Sequence, residues 1–134
     1  MSFALDIVVG WGDMDALGHV NHTRYLRWME DARIVWFSRE MGVRSFHQHG
    51  GVGPILARVE VDFARPVGYP DTVSVGVTVA RVGESSLTLA YEITSQAQGA
   101  VVCRGSTVLV MFDYGAQQKV RVPDDLRARI AAAS

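Results

Sequence analysis

The second half of the chain alternates apolar and polar side chains with a period of two residues. Between residues 72 and 79, valine occupies every second position, and threonine, serine and glycine fill the positions between. Residues 87–93 repeat this alternation, and residues 55–64 and 101–112 also show it. Because successive side chains of a strand point to opposite faces of a sheet, each segment is predicted to be a strand. Short loops around Gly83 and Gly99 separate three of them, which predicts antiparallel hairpins.

Two of these strands carry more specific expectations. The alternation over residues 55–64 assigns one apolar face to the first strand, which Pro66 ends because proline cannot donate to a central ladder. That face comprises Ile55, Ala57, Val59, Val61 and Phe63. Residues 101–112 are apolar on both sides, which predicts a last strand that is covered on both faces.

A single long helical pattern, over residues 24–41, precedes these strands. Its apolar residues recur at intervals of three and four, which places them on one helical face. They are Tyr25, Trp28, Met29, Ala32, Val35 and Trp36, and Ile34 and Phe37 widen the face. The charged residues of the same segment are expected to face solvent or a partner subunit. These are Arg27, Glu30, Asp31 and Arg33.

The order of these elements predicts an α+β fold. A first strand over residues 3–9 precedes the helix, and a short helix over residues 123–130 ends the chain. An antiparallel sheet of about five strands is therefore expected to wrap around one long central helix. No linker or repeat interrupts the pattern, so residues 1–134 are interpreted as a single domain.

Composition narrows the class of protein. The formal net charge of -1 argues against a general nucleic-acid or membrane surface. Cys103 is the only cysteine, which excludes an intrachain disulfide, and its mid-strand position is typical of a small buried hydrophobe. With no basic and apolar leader segment at the start of the sequence, a cytoplasmic protein is expected.

Residues 12–21 place a carboxylate in a glycine-bounded turn just before the long helix. The first turn of a helix has backbone N–H groups without intrahelical partners, and these attract negative charge. Asp15 is therefore a candidate base beside an anion-binding site, although spacing alone also fits a turn former or a helix cap. Asn21 and Thr23 suit helix capping or contact with a substrate. His19 would either orient Asp15 or satisfy backbone groups of the loop.

Residues 11–26, with the sequence WGDMDALGHVNHTRYL, resemble the signature of a known family. The family is the 4-hydroxybenzoyl-CoA thioesterase branch of the hotdog-fold acyl-CoA thioesterases. The resemblance implies a hotdog fold and hydrolysis of an acyl-CoA thioester without a cofactor. It makes Asp15 the catalytic carboxylate, acting as nucleophile or general base, and Asp13 a support of the loop. The backbone N–H of His22 would polarise the thioester carbonyl.

The same resemblance suggests residues that contact the substrate. His19, Asn21, Thr23 and Tyr25 would lie near the acyl group, although Tyr25 also fits a place in the core. Coenzyme A would meet a hairpin that comprises Arg81, Gly83, Ser85 and Ser86. Arg58, Arg65 and Arg104 are weaker candidates for the same task. Each of these arginines also fits an ordinary solvated or ion-paired surface position.

Assembly and metal content are further expectations. An exposed sheet edge favours self-association, and the family's active site lies between two subunits, which implies a homodimer or homotetramer. His47 and His49 lie in a polar loop that is expected to be solvated or to line the acyl pocket. No metal site is expected, because no carboxylate partner stands at ligand spacing from them.

Two alternatives to acyl-CoA hydrolysis remain open at this point. A non-catalytic hotdog module would bind an acyl thioester or a related ligand without turnover. A thioesterase that acts on acyl carrier protein would need a basic patch, which the arginines at 58, 65, 81 and 104 supply only if they cluster.

Overall fold

The computed structural model describes residues 3–42 and 51–133, so the loop with His47 and His49 lies outside the described residues. A short 3-10 turn, Trp11–Asp13, follows the first strand. The elements in chain order are β1 (Phe3–Val8), α1 (His22–Arg39), β2 (Val52–Phe63), β3 (Thr72–Val82), β4 (Ser86–Ser95), β5 (Ala100–Asp113), β6 (Gln118–Lys119) and α2 (Asp124–Ala133). The predicted α+β fold is confirmed. None of the helices described is long and apolar enough to cross a membrane.

The sheet is antiparallel throughout and has the order β1-β3-β4-β5-β2, with the short β6 added beside β5. Hairpins join β3 to β4 and β4 to β5, as the glycine-containing loops predicted. The inner face carries the alternating apolar residues of the central strands. Val73, Val75, Val77, Leu87, Leu89 and Ile93 are all fully or almost fully buried there.

Helix α1 packs its apolar face against this sheet. Its buried residues are Tyr25, Trp28, Met29, Ala32, Arg33, Trp36 and Phe37. Gly105 of β5 permits the close approach, because a Cβ atom there would lie 2.8 Å from Met29 Cε and 2.9 Å from the Glu60 carbonyl oxygen. The helix is therefore held directly on the inner face of the sheet.

One expectation for this helix is wrong. Arg33 was expected to face solvent or a partner subunit, but only 9% of the residue is exposed within the chain. Position 33 stands four residues after Met29 and four before Phe37, and residues at that spacing share a helical face. Arg33 therefore follows the buried face rather than the charged one.

The predicted alternation of β2 is interrupted by a register shift between Leu56 and Arg58. Val59 pairs with Thr107 of the inner face, and Leu56 pairs with Leu109 of the same face, while Ile55 pairs with Val110. The assignment of Ile55 and Val59 to one face is therefore wrong, because a bulge changes which residues point inward.

β2 is also an edge strand with large apolar side chains left partly exposed. Ile55, Leu56, Val59 and Phe63 are between 39% and 49% exposed. β5 next to it is not covered on both sides within one chain. Leu109 and Met111 are buried on the inner face, whereas Val108 and Val110 of the outer face are only half-buried. The expectation of two covered faces thus fails for an isolated chain.

Candidate active site

The loop between β1 and α1 is folded into a small hairpin. Met14 and Val20 form an isolated antiparallel bridge, and the Asp15 N–H donates to the His19 carbonyl oxygen at 2.8 Å. The Val20 N–H donates to the Val67 carbonyl oxygen at 2.8 Å, and this hydrogen bond connects the hairpin to the segment after β2. Gly18 has a φ of 82°, a conformation that favours glycine, and so permits the tight turn at the tip. The loop is therefore held by its own backbone.

Asp13 braces the base of this hairpin. Its Oδ2 accepts a hydrogen bond from the Gly10 N–H at 2.8 Å, and its Oδ1 lies 3.3 Å from Nε of Arg24. The Asp13 carbonyl oxygen accepts from the Asn21 N–H at 2.9 Å. One carboxylate oxygen thus binds the segment that follows β1 and the other binds the first turn of α1, an arrangement that fits the supporting role implied by the family resemblance.

Asp15 lies near the tip and its side chain is exposed. Its Oδ1 accepts from the Leu17 N–H at 2.9 Å, an Asx turn of the kind that spacing alone suggested. For Oδ2 we find no hydrogen-bond donor within residues 3–42 and 51–133. The turn therefore fixes the direction of the carboxylate through one oxygen and leaves the other turned to solvent.

The start of α1 presents a backbone donor beside this loop. Asn21 caps the helix, since its Oδ1 accepts from the Thr23 N–H at 2.9 Å and lies 3.0 Å from Thr23 Oγ1. The Arg24 N–H donates to the Asn21 carbonyl oxygen at 2.9 Å. In contrast, the His22 N–H has no acceptor among the residues that the structure describes. The positive end of the helix dipole reinforces this donor.

Asp15 and His22 are close because the base of the hairpin joins them. The Asp13–Asn21 hydrogen bond and the Met14–Val20 bridge place Asp15 opposite His19, three residues before the first residue of the helix. The structure therefore brings the predicted carboxylate and the predicted donor into the same small hairpin loop and helix start.

The other residues assigned to substrate contact have structural tasks. The side chain of Tyr25 is buried, and its ring packs edge-on against Trp28 and Phe63, with centroids 5.1 and 5.2 Å away. Burial raises the pKa of the Tyr25 hydroxyl, and a hydrogen bond to the backbone of Val67 partly opposes the rise. His19 contributes its carbonyl oxygen to the hairpin, and its side chain is exposed. Contact of these residues with a substrate stays a prediction.

The hairpin suggested for coenzyme A lies at the opposite end of the sheet. β3 begins at Thr72, which pairs with Val8 beside the loop, and it ends at Val82. At about 3.3 Å per residue the two ends are roughly 33 Å apart. Within one chain, Arg81 and Ser86 are therefore not brought near Asp15.

The polar groups of that hairpin are largely occupied. The Gly83 N–H donates to the Ser86 carbonyl oxygen at 2.8 Å, and the Met111 N–H donates to that of Ser85 at 2.8 Å. Arg127 of α2 donates to the carbonyl oxygens of Gly83 and Glu84. The hairpin is thus a docking point for the terminal helix.

Two of the weaker arginine candidates are ion-paired, and the third, Arg65, lies at an exposed position. Arg58 is ion-paired with Glu60, and Arg104 Nε lies 3.3 Å from Glu92 Oε2.

Cys103 is fully buried, and burial raises the pKa of its thiol to about 11, which removes the thiolate needed for nucleophilic chemistry at neutral pH. Across the described ranges we find no group of His, Cys, Asp and Glu side chains that could hold a metal ion.

A polar cluster below α1 was missed by the sequence analysis. The Tyr91 hydroxyl and Thr107 Oγ1 share a hydrogen bond of 2.7 Å on the inner face of the sheet, and Arg33 lies against them. Burial raises the pKa of Tyr91, while Thr107 and Arg33 partly oppose the rise. A groove of about 240 Å³ between α1 and β2 opens onto this cluster. The spacing of Arg33 from Met29 and Phe37 was the signal that could have revealed it.

Comparison with known proteins supports the architecture. Residues 9–130 match the profile of the thioesterase-like superfamily. A thioesterase from Thermus thermophilus, solved in complex with coenzyme A and zinc, is 35% identical, with a TM-score of 0.83 over 96% of this chain and 91% of that one.

Two further proteins are similar to this chain over most of its length. The PA2801 protein of Pseudomonas aeruginosa is 33% identical, with a TM-score of 0.85 over 95% of this chain and 96% of that one. The long-chain acyl-CoA thioesterase FadM of Escherichia coli is 22% identical over 87% of this chain and 88% of its own. The predicted hotdog fold and the predicted class of enzyme, a thioester hydrolase, are confirmed, and the chain belongs to the thioesterase-like superfamily.

Proposed function

We propose that this chain hydrolyses an acyl-CoA thioester to the free acid and coenzyme A, using the Asp15 carboxylate and the His22 backbone N–H. One observation carries the proposal. The hairpin loop holds a carboxylate with one oxygen open beside a helix start whose first N–H has no acceptor in the described part of the chain. This pairs a nucleophile or base with a donor for the oxygen on which charge develops.

The donor acts on the carbonyl oxygen. Attack on a thioester carbon converts the carbonyl into an oxyanion, and a fixed N–H at a helix start stabilises that charge without rearrangement. Asn21 and Arg24 keep the first turn in place through the cap and the Asp13 ion pair. The His22 side chain is not required, because the donor belongs to the backbone.

Asp15 completes the reaction by either of two balanced routes. As a nucleophile, its oxygen bonds to the carbonyl carbon and the C–S bond breaks, giving an acyl anhydride and the coenzyme A thiolate; water then hydrolyses the anhydride. As a general base, it takes a proton from water while the hydroxide bonds to the carbonyl carbon, and the departing thiolate recovers that proton. The exposed position of Asp15 gives water access in both routes.

The test is release of free thiol from a panel of acyl-CoA esters. We expect Asp15→Asn to lower kcat by about 10³-fold or more, because it removes the charge but keeps the Asx turn. Asp6→Asn, which neutralises an exposed carboxylate of β1, is the matched control and should keep full activity. Failure of the wild type to cleave any ester would refute hydrolysis, and binding without turnover would then favour the non-catalytic module.

A second pair of variants tests the backbone donor. His22 is the first residue of α1, a position that tolerates proline because its N–H has no intrahelical partner. His22→Pro should therefore keep the helix and lower kcat by about 10²-fold to 10³-fold, whereas His22→Ala, which keeps the N–H, should stay near wild type. Equal activity of the two variants would rule out the donor.

The same proposal includes self-association through β2. This edge strand has partly exposed Leu56, Val59 and Phe63 and unpaired backbone groups, a surface that a second copy would cover. A homodimer or homotetramer is expected in sedimentation equilibrium, and Val59→Lys should shift it toward the monomer. A monomeric wild type would remove this part of the proposal. The carrier is proposed to be coenzyme A, because carboxylates neutralise Arg58 and Arg104, two of the arginines that a basic patch for acyl carrier protein would need.

A further inference from the structure

We infer that Arg33 selects acyl groups that carry an anionic oxygen acceptor, a carboxylate, at the end remote from the thioester. The inference rests on the proposed function, because it concerns the far end of the same substrate. It assigns a specificity-determining role to a buried cation that the reaction itself does not use.

The groove between α1 and β2 has the shape and lining for an acyl chain. Its walls are mostly apolar, which suits hydrocarbon. The lining comprises Leu26, Met29, Leu56 and Val59, with Arg27 and Glu30 at the rim and Arg33 and Thr107 deeper. A volume of about 240 Å³ fits a chain or a ring but leaves little room for both.

The groove continues from the proposed reaction site. α1 and β2 run in opposite directions, with the ring of His22 6.3 Å from that of Phe63 at the start of the helix. Further along, Leu26 and Met29 of the helix face Val59 and then Leu56 of the strand. An acyl group whose carbonyl lies at the His22 N–H therefore extends into this groove.

The length of the path fixes the size of the acyl group. Arg33 follows His22 by three turns of helix, an axial distance of about 16 Å at 1.5 Å per residue. Helical side chains lean toward the N-terminus, so the guanidinium lies nearer to His22 than the Cα separation suggests. A chain of medium length spans this distance, and its end meets Arg33.

The guanidinium is poorly compensated for a buried charge. The side chain of Arg33 is 11% exposed, and Nη2 lies 3.6 Å from Oε2 of Glu30, whose side chain is 50% exposed. That separation makes an ion pair but exceeds a normal hydrogen bond. The Tyr91 hydroxyl lies near Arg33 but is itself hydrogen-bonded to Thr107. A guanidinium has five N–H donors, so these contacts leave donors for a carboxylate.

The charge of Arg33 favours acyl groups that end in a carboxylate and disfavours those that end in a methyl group. A carboxylate at the end of the groove forms charge-assisted, bidentate hydrogen bonds with Arg33. A methyl group at the same place excludes water from the cation and gives it no partner, which is costly. The preference is therefore built from attraction of one acyl end and rejection of the other.

The experiment compares two esters of equal chain length, suberoyl-CoA and octanoyl-CoA, which differ in the terminal carboxylate. We expect the wild type to favour suberoyl-CoA in kcat/KM by about tenfold or more. Arg33→Met keeps the apolar volume and should lower kcat/KM for suberoyl-CoA by about 10-fold to 100-fold, mainly through KM. Octanoyl-CoA should be cleaved as fast as before or faster.

Two variants serve as controls. Arg39→Met removes an exposed arginine in the last turn of the same helix, outside the groove lining, and should leave the ratio between the esters within about twofold. Arg33→Lys keeps the charge and should retain part of the preference, and it replaces Arg33→Met if that variant does not fold.

Wild-type preference for octanoyl-CoA would overturn the inference. So would an Arg33→Met variant that slows both esters equally, since that result indicates a structural ion pair with Glu30. Calorimetric binding of both esters to Asp15→Asn, with and without Arg33→Met, tests the preference apart from turnover. If no ester is cleaved but suberoyl-CoA binds more tightly through Arg33, the proposed function fails and the specificity stands.

Discussion

The two ends of the sheet carry glycine-containing loops that differ in which polar groups have partners. The loop with Asp15 leaves one carboxylate oxygen and the His22 N–H without partners among the described residues. At the other end, the glycine-serine hairpin at Gly83 has its carbonyl oxygens bonded to Arg127 and to backbone N–H groups. Polar residues in a glycine-containing turn thus do not by themselves make a binding site. The two loops differ in whether their hydrogen-bonding groups already have protein partners or remain able to bind a ligand.

The strongest test of this difference between the loops removes the hydrogen bonds that Arg127 makes to the hairpin at Gly83. Arg127 donates to three carbonyl oxygens, those of Val122, Gly83 and Glu84. Arg127→Met should lower the free energy of unfolding by about 2–3 kcal/mol, since hydrogen bonds from a charged group are lost and part-buried carbonyls remain. Thiol release per folded molecule should not change. Urea unfolding beside the activity assay measures both.

Lys119→Met, at an exposed position of β6, is the matched control and should leave stability nearly unchanged. A large loss of activity in folded Arg127→Met would break the contrast, because it would make the far hairpin part of the reaction site.

A smaller effect is expected from the helix cap at the near end. Asn21→Ala removes the acceptor for the Thr23 N–H and should cost about 1 kcal/mol of stability. Because the same cap holds the first turn, kcat should also fall, by about threefold to tenfold. Asn21→Asp keeps an acceptor and should preserve both quantities. Loss of stability with unchanged kcat would separate the cap from the position of the His22 donor.

The smallest expected effect concerns coenzyme A at the far hairpin. Arg81 lies roughly 33 Å from the loop within one chain, so it reaches a bound coenzyme A only where a second copy brings it close. We expect Arg81→Met to raise KM by about threefold at low salt, and the difference to shrink at high salt. An unchanged KM at low ionic strength would leave the hairpin with a structural task alone.

Periodicity was enough to predict most of the fold. Strands β3 and β4 were placed correctly because alternating residues of their inner face are buried, namely Val73, Val75 and Val77 in β3 and Leu87, Leu89 and Ile93 in β4. The helix was recognised from its apolar spacing, although it begins at His22 rather than at residue 24. The start moved because the cap at Asn21 determines where the first turn begins.

The two larger errors, the alternation of β2 and the side of the helix on which Arg33 lies, depend on contacts that are distant in sequence. The bulge in β2 arises from pairing with β5, and a one-residue change of register leaves no mark on composition. Arg33 was assigned to solvent from its charge, yet the sheet beneath α1 supplies Tyr91 and Thr107 as polar neighbours. The loop with Asp15 was recognised by resemblance, whereas only the structure shows that Asp15 Oδ2 and the His22 N–H have no partner within residues 3–42 and 51–133.

The bulge in β2 has a practical consequence for anyone who alters acyl selectivity. On one side of it the even-numbered residues Pro54 and Leu56 pair with the inner face, and on the other side the odd-numbered Val59 and Val61 do so. A mutant library built on strict alternation would therefore randomise Ile55, on the wrong face, and omit Leu56. Any choice of groove positions in this strand must change parity at Ala57, because residues before and after the bulge reach the inner face with opposite parity.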